Sequence, residues 1–226
     1  MSEQTPVPDE RPRPGSTGKS SVSGVAVPES LGPSAPPART GSANLPDLPR
    51  ARERGLGFRR MREADDLPFL FRLYASTREE ELAPVPWSAE QKQAFLAQQF
   101  QAQHSHYMRY FPGSDWLIAE VSGGPVGRLY LDTRDSEIRI IDIALMPDQR
   151  GQGLGRAMLE DVLALAAAGG RSVSIHVEQF NPAMRLYLRL GFVTSGEAGV
   201  YQLMRWSPPR DPLSGPVIDT ETGSPA

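Results

Sequence analysis

The chain has 226 residues, with 24 basic and 27 acidic side chains and no cysteine. The lack of cysteine excludes a disulfide framework, a cysteine nucleophile and a zinc–cysteine site, and a formal charge of −3 gives no broad basic surface, so no nucleic-acid partner is expected. No stretch approaches the roughly 20 apolar residues of a membrane span, and the N-terminus lacks a charged lead followed by an apolar run, so a cytoplasmic protein without a membrane partner is expected.

Composition divides the chain. Residues 1–54 hold ten of the 22 prolines, residues 207–226 hold five more, and every aromatic side chain lies between Phe58 and Trp206. The two ends, rich in Pro, Ser and Gly, carry too few large apolar groups to offset the entropy of ordering them. They are expected to be disordered tails, either solvated extensions or docking segments, around one folded domain at 55–206.

Within that domain, Phe58 to Met61 reads as a first strand, and Asp66 offers an N-cap to a helix with Leu67, Leu70, Phe71 and Tyr74 on one face. Ser88 and Gln91 form a capping-box pattern that opens a longer helix, which Pro112 and Gly113 stop. Trp116 to Val121 and Val126 to Leu131 are strand-like runs joined by Ser122, Gly123, Gly124 and Pro125, a hairpin signal. A longer strand follows at Ile138 to Leu145. Its apolar positions shift phase between Ile140 and Ile141, as an inserted bulge residue or a strand buried on both faces would produce.

Met146 to Arg156 reads Met-Pro-Asp-Gln-Arg-Gly-Gln-Gly-Leu-Gly-Arg, and a helical apolar pattern through Leu154, Met158, Val162, Leu165 and Ala166 starts inside it. A strand, a glycine-rich turn and a helix form an anion-binding arrangement. Glycine lets the backbone approach a ligand, and the first free N–H groups of the helix point outward at the positive end of its dipole, where a phosphate fits. The dinucleotide fingerprint needs glycine where Arg156 stands, and the P-loop Gly-Lys-Ser/Thr is absent, which excludes those two phosphate loops.

Arg150-Gly151-Gln152-Gly153-Leu154-Gly155 resembles the Arg/Gln-x-x-Gly-x-Gly/Ala signature of the GCN5-related N-acetyltransferase (GNAT) superfamily, and Asn181 through Phe192, with Leu186-Tyr187 and Leu190-Gly191-Phe192, resembles that family's closing block. The resemblance spans nearly all of 55–206 and implies the acyl-CoA N-acyltransferase fold, a mixed α/β architecture with a central twisted mixed sheet of about seven strands flanked by four helices. It further implies acetyl-CoA as co-substrate and no metal. The pantetheine arm would lie along Ile143, Ala144 and Leu145, and the pyrophosphate on the N–H groups of Gly151, Gln152, Gly153, Leu154, Gly155 and Arg156. Arg150 and Arg156 would either add charge there or be solvated helix-start arginines. Tyr187 would protonate the departing thiolate, its alternative being a core aromatic. Asn181 stands one residue closer to the tyrosine than in many relatives, so it would contact the cofactor or simply cap the following helix.

Three residues could take the proton from the attacking amine: Asp142, His176 and Glu178. The last two share one strand face, because residues two apart point the same way. Asp142 could instead hold the bulge, and His176 could be a hydrogen-bonded structural residue. His104 and His106 look surface-polar and make no metal site by themselves. The acceptor, a small-molecule or peptide amine, would be walled by the first two helices, where Arg78-Glu79-Glu80-Glu81 and Trp87 would suit a cationic amine or form a solvated charge run. A homodimer through an exposed edge strand is compatible with the sequence. An N-acetyltransferase working through a ternary complex is the leading expectation. A non-catalytic acyl-CoA sensor or scaffold of the same fold is the alternative.

Overall fold

The structure, a computed structural model, describes residues 44–209; the remainder of both expected tails lies outside the described residues. Its elements are α1 (Pro49–Glu53), β1 (Gly57–Arg60), α2 (Glu63–Leu82), α3 (Ala89–Tyr110), β2 (Asp115–Val121), β3 (Gly124–Thr133), β4 (Glu137–Leu145), α4 (Leu154–Ala168), β5 (Ser172–Glu178), α5 (Met184–Arg189), β6 (Val193–Ala198) and β7 (Tyr201–Trp206), with a 3₁₀ turn at Pro147–Gln149 between β4 and α4. No helix among the described residues is long and apolar enough to cross a membrane.

The strands form one mixed sheet in the order β1-β2-β3-β4-β5-β7-β6, in which β4–β5 is the parallel pair and its neighbours are antiparallel. Alternating side chains give the sheet two apolar faces. One packs Leu117, Leu129, Ile138, Ile140, Val173 and Ile175 against Met158 and Val162 of α4; the other packs Ile118 and Tyr130 against Leu70 and Leu73 of α2 and Phe100 and Tyr107 of α3. A sheet covered by helices on both faces can carry near-continuous apolar strands, as β4 does.

Local chemistry accounts for the boundaries. Ser88 caps α3 as expected, its Oγ accepting the Gln91 N–H at 3.2 Å while Gln91 Oε1 accepts the Ser88 N–H at 2.8 Å. The β2–β3 turn has Ser122 at φ 52° and Gly123 at φ 80°, the two positive values that a tight hairpin with the native twist requires.

Three expectations need correction. The helix expected to start at Asp66 starts at Glu63. Asp66 lies in its first turn and reaches back to accept the Arg62 N–H at 2.7 Å, while gripping Arg59 through both oxygens at 2.6 and 2.7 Å. The Arg59 hydrogen bonds hold its carboxyl below the usual range. His104 is buried, with Nε2 3.3 Å from Glu63 Oε1 and its ring stacked on Phe100, because residue 104 stands one turn after Phe100 on the inward stripe of α3.

Finally, ordered structure begins before residue 55. Leu48 and Ala51 are 1% and 0% exposed, and α1 adds a fifth helix to the four expected. Asp161, buried within α4, accepts the backbone N–H groups of Arg50 at 3.1 Å and Ala51 at 2.9 Å, satisfying the free donors at the start of α1. Proline content hid this helix because Pro49 occupies its first position, where a missing N–H costs no helical bond.

Candidate active site

β4 decides where the sheet opens. Leu131 of β3 pairs with Ile140 and the adjacent Tyr130 with Asp142, so Ile141 is an inserted residue. The phase shift in the apolar pattern is therefore a bulge. The parallel pairing with β5 runs from Glu137↔Ser172 to Ile140↔Ile175 and stops there. Beyond the bulge, residues 141–145 leave β5, and their backbone on that side is available to an extended ligand.

A cavity of about 200 Å³ opens at this splay, on the α2/α3 face of the sheet. Asp142, Ile143 and Ala144 line it from β4, His176 and Glu178 from β5, and Asn181 and Tyr187 from the segment that follows. Four candidates that the sequence spread over 46 positions, Asp142, His176, Glu178 and Tyr187, thus share one cavity.

The hydrogen bonds of these residues differ in what they permit. Asp142 accepts Arg128 Nε at 3.0 Å on Oδ1, and Arg128 Nη2 at 2.7 Å and the Tyr107 hydroxyl at 3.0 Å on Oδ2. Arg128 is buried and also donates to Gln103 at 3.2 Å. Protonating Asp142 would leave a buried guanidinium without its counter-charge, which favours the bulge-holding role over the base. His176 receives Arg139 Nη2 on Nδ1 at 2.8 Å. A guanidinium can only donate, so the imidazole proton sits on Nε2. Burial first and the Arg139 charge second push the His176 pKa down to about 4, so the ring is neutral and weakly basic. Glu178 accepts Arg78 Nη2 at 2.9 Å on Oε1, and its Oε2 makes no hydrogen bond among the described residues.

Tyr187 is 4% exposed and stands edge-on to Phe192 at 5.6 Å. Burial, and then the negative Asp142, raise its pKa well above the usual phenol value, which keeps it protonated. Asn181 Oδ1 accepts the Ala183 N–H at 2.8 Å, so its side chain already orders the turn into α5.

The glycine loop lies at the other end of the exposed β4 edge. Gly151 and Gly153 have φ of 74° and 81°, and Gly153 is the N-cap of α4. The first helical bond there runs from Ala157 N–H to Gly153 O, so the N–H groups of Leu154, Gly155 and Arg156 precede the helical ladder. Arg150 folds back, Nε bonding Leu145 O at 2.8 Å, and Gln152 bonds Asp148 O at 2.7 Å; both side chains brace the loop. Arg156 pairs with Glu160 on the exposed helix surface at 2.8 Å.

Sequence reasoning missed three arginines, Arg54, Arg128 and Arg139, and did not connect a fourth, Arg78, to Glu178. Arg128 and Arg139 hold Asp142 and His176, Arg78 reaches Glu178, and the guanidinium of Arg54 stands 3.1 Å from where a Cβ on Gly153 would lie. An arginine inside an apolar strand, as at 128 and 139, is the signal that was available. Of the charged stretch at 78–81, Arg78 lines the cavity, whereas Glu79, Glu80 and Glu81 are exposed and correspond to the solvated charge run, one of the two expected alternatives.

A family model described as the acetyltransferase (GNAT) family matches residues 67–192. The peptidyl-lysine N-acetyltransferase YjaB of Salmonella typhimurium is 32% identical over 88 residues, which are 39% of this chain and 56% of that protein. The chain thus spans a little over half the length of that curated relative. Among solved structures, the PaiA N-acetyltransferase of Thermoplasma acidophilum in complex with coenzyme A superposes with a TM-score of 0.52 at 14% identity, covering 67% of this chain and 98% of that one. That likeness is one of fold.

Proposed function

The chain belongs to the acetyltransferase (GNAT) family, and from that premise we propose that it transfers the acetyl group of acetyl-CoA to a primary amine by direct attack, with both substrates bound together. The observation that carries this reading is the end of β4–β5 pairing at Ile140↔Ile175, next to the Ile141 bulge, over a cavity that Tyr187 lines.

The residues fit the co-substrate. The N–H groups of Leu154, Gly155 and Arg156 offer a pyrophosphate the positive end of α4. Ile143, Ala144 and Leu145 offer an extended pantetheine arm a free strand edge, as β5 does where the two strands are paired. Such an arm running from the loop toward the bulge would bring the thioester to the cavity.

Direct transfer requires a neutral amine, a group to take its proton and a group to protonate the leaving thiolate. Tyr187, held protonated by burial, is the donor. Glu178 is the favoured acceptor of the amine proton, directly or through water, because Oε2 retains lone pairs while both oxygens of Asp142 are engaged and Nδ1 of His176 is occupied. Asp142 and Arg128 then act by positioning the bulge. Arg150 and Gln152 brace the loop, and Asn181 orders the turn that presents α5.

The acceptor class is a small amine, with a peptide lysine as the class that the relative's name brings to the test. Calorimetric titration of the full chain with acetyl-CoA and with acetyl-pantetheine, which lacks the pyrophosphate, tests the site. Saturable binding of the first and at least tenfold weaker binding of the second are expected. Equal affinity for both would remove the loop from the reading, and failure to bind either would overturn it. The non-catalytic sensor reading draws on one observation, that each candidate base has an arginine partner. It predicts binding without coenzyme A release for any amine.

A further inference from the structure

The glycine loop offers a phosphate the N–H groups of Leu154, Gly155 and Arg156, and the first turn of α4 holds no acidic residue to repel one. Its own arginines are turned to other tasks. Arg150 folds back to bond Leu145 O at 2.8 Å and Ser76 Oγ at 3.3 Å, and Arg156 pairs with Glu160 at 2.8 Å on the helix surface. A third guanidinium reaches the loop from outside it. Arg54, the C-cap residue of α1, places Nη1, Cζ and Nη2 at 3.1, 3.4 and 3.9 Å from the point where a Cβ on Gly153 would lie. That point is three covalent bonds from the Leu154 nitrogen, so Nη1 stands within about 7 Å of the first N–H that precedes the helical ladder.

The fold fixes the backbone that presents this side chain. Leu48 and Ala51 are buried in the cluster that includes Leu154, Met158 and Val162 of α4. Asp161 accepts the backbone N–H groups of Arg50 and Ala51 at 3.1 and 2.9 Å and the Arg50 guanidinium at 3.2 Å. The end of α1 is closed as well, with the N–H groups of Arg54 and Leu56 bonding Ala51 O and that of Gly55 bonding Arg52 O. Arg54 is exposed, and the carboxylates of this region leave it uncommitted. Asp47 pairs with Arg52 at 2.8 Å, Asp161 with Arg50 at 3.2 Å and Glu160 with Arg156 at 2.8 Å. Glu53 and Asp148 are exposed, and among the described residues neither bonds Arg54. We infer that Arg54 is a phosphate-binding residue of the acetyl-CoA site, its planar fork meeting a phosphate group of the co-substrate beside the N–H groups of α4. The inference rests on the acetyltransferase reading and extends its co-substrate site to α1, a helix that precedes residue 67, where the match to the family model begins. In this reading α1 both satisfies the buried Asp161 and delivers a cation to the loop.

The test is calorimetric titration of the full chain and of Arg54→Gln and Arg54→Lys with acetyl-CoA, together with urea unfolding of all three. Arg54→Gln should raise the acetyl-CoA Kd about tenfold, as expected for one lost charge-assisted contact, and leave the urea midpoint unchanged. Arg54→Lys, which keeps the charge and loses the fork, should recover part of the affinity. Acetyl-dephospho-CoA, which lacks the ribose 3′-phosphate, separates the phosphate groups. An equal loss with that ligand assigns Arg54 to the pyrophosphate, and a loss confined to intact acetyl-CoA assigns it to the 3′-phosphate. An arginine that only complements the C-terminal end of α1 makes the opposite prediction, a lower urea midpoint at unchanged affinity. Acetyl-CoA affinity of Arg54→Gln within about twofold of the parent would therefore overturn the inference and leave the acetyltransferase reading intact. An equal loss in both variants accompanied by a fall in the urea midpoint would overturn it too, whereas failure of the parent chain to bind acetyl-CoA would overturn the reading on which it rests.

Discussion

Arg128 grips Asp142 with two parallel hydrogen bonds, Nε to Oδ1 at 3.0 Å and Nη2 to Oδ2 at 2.7 Å, and so joins β3 to β4 at the residue that follows the bulge. Both side chains are largely out of water, at 5% and 14% exposure. Removing one partner strands the other. Asp142→Asn should lower stability by about 3 kcal/mol, the lower end of what breaking a buried pair costs, read as a fall in the urea midpoint at unchanged slope. Replacing both, Arg128→Met with Asp142→Leu, should recover most of that loss.

Tyr187 is expected to act in turnover and not in binding. Tyr187→Phe removes one hydroxyl from a buried ring that packs edge-on against Phe192 and keeps the packing. Turnover should fall on the order of 100-fold, the low end for loss of a general acid, while acetyl-CoA affinity by calorimetry stays within about twofold. Unchanged kcat would remove the acid role.

The two positive-φ glycines of the loop should respond differently to substitution. A Cβ at Gly153 would lie 3.1 Å from Arg54 Nη1 and would also place a side chain in the left-handed region, which costs about 1–3 kcal/mol. Gly153→Ala should therefore weaken acetyl-CoA binding as the start of α4 shifts. Nothing lies within 4 Å of a Cβ at Gly151, and asparagine adopts positive φ readily, so Gly151→Asn should retain binding. Equal losses would show that loop strain does not control the site.

His176 should make stability depend on pH. Its folded pKa is about 4, below the 6.5 of a free imidazole, so between those values the unfolded chain takes up a proton that the folded chain refuses. Protonation then favours unfolding, and the stability tied to this group is present above about pH 6.5 and lost as pH falls toward 4. Urea midpoints measured across that window should fall for the parent chain and fall less for His176→Gln. Asp66, with its carboxyl held low by Arg59, loses its contribution at lower pH still.

The start of the folded unit can be tested by truncation. A chain beginning at residue 55 lacks α1, which leaves the buried Asp161 without the Arg50 and Ala51 N–H groups and uncovers the surface beneath Leu48. Relative to a chain beginning at residue 44 it should be less stable by at least about 3 kcal/mol, from an unpaired buried carboxylate and lost apolar burial. Equal denaturant midpoints would show that α1 contributes nothing.

Much of this protein was legible in its sequence because the relevant physics is short-range. Ser88 and Gln91 cap each other across three residues, the glycines at 151 and 153 answer a local demand for positive φ, and the inserted residue at Ile141 shows as a phase shift in β4 because side chains alternate strictly along a strand. The tertiary structure decided which charge meets which. Asp142, His176 and Glu178 could be read as candidate bases, yet their partners lie 14, 37 and 100 residues away, at Arg128, Arg139 and Arg78. Strand order brings β3 and β5 to the two sides of β4 and sets α2 above the cavity, and that order alone selects these pairs. The helix before residue 55 stayed hidden for the same reason. Leu48, Pro49 and Ala51 resemble the proline-rich segment around them, and what orders them is Asp161, a carboxylate 110 residues away from Ala51 whose burial demands their N–H groups.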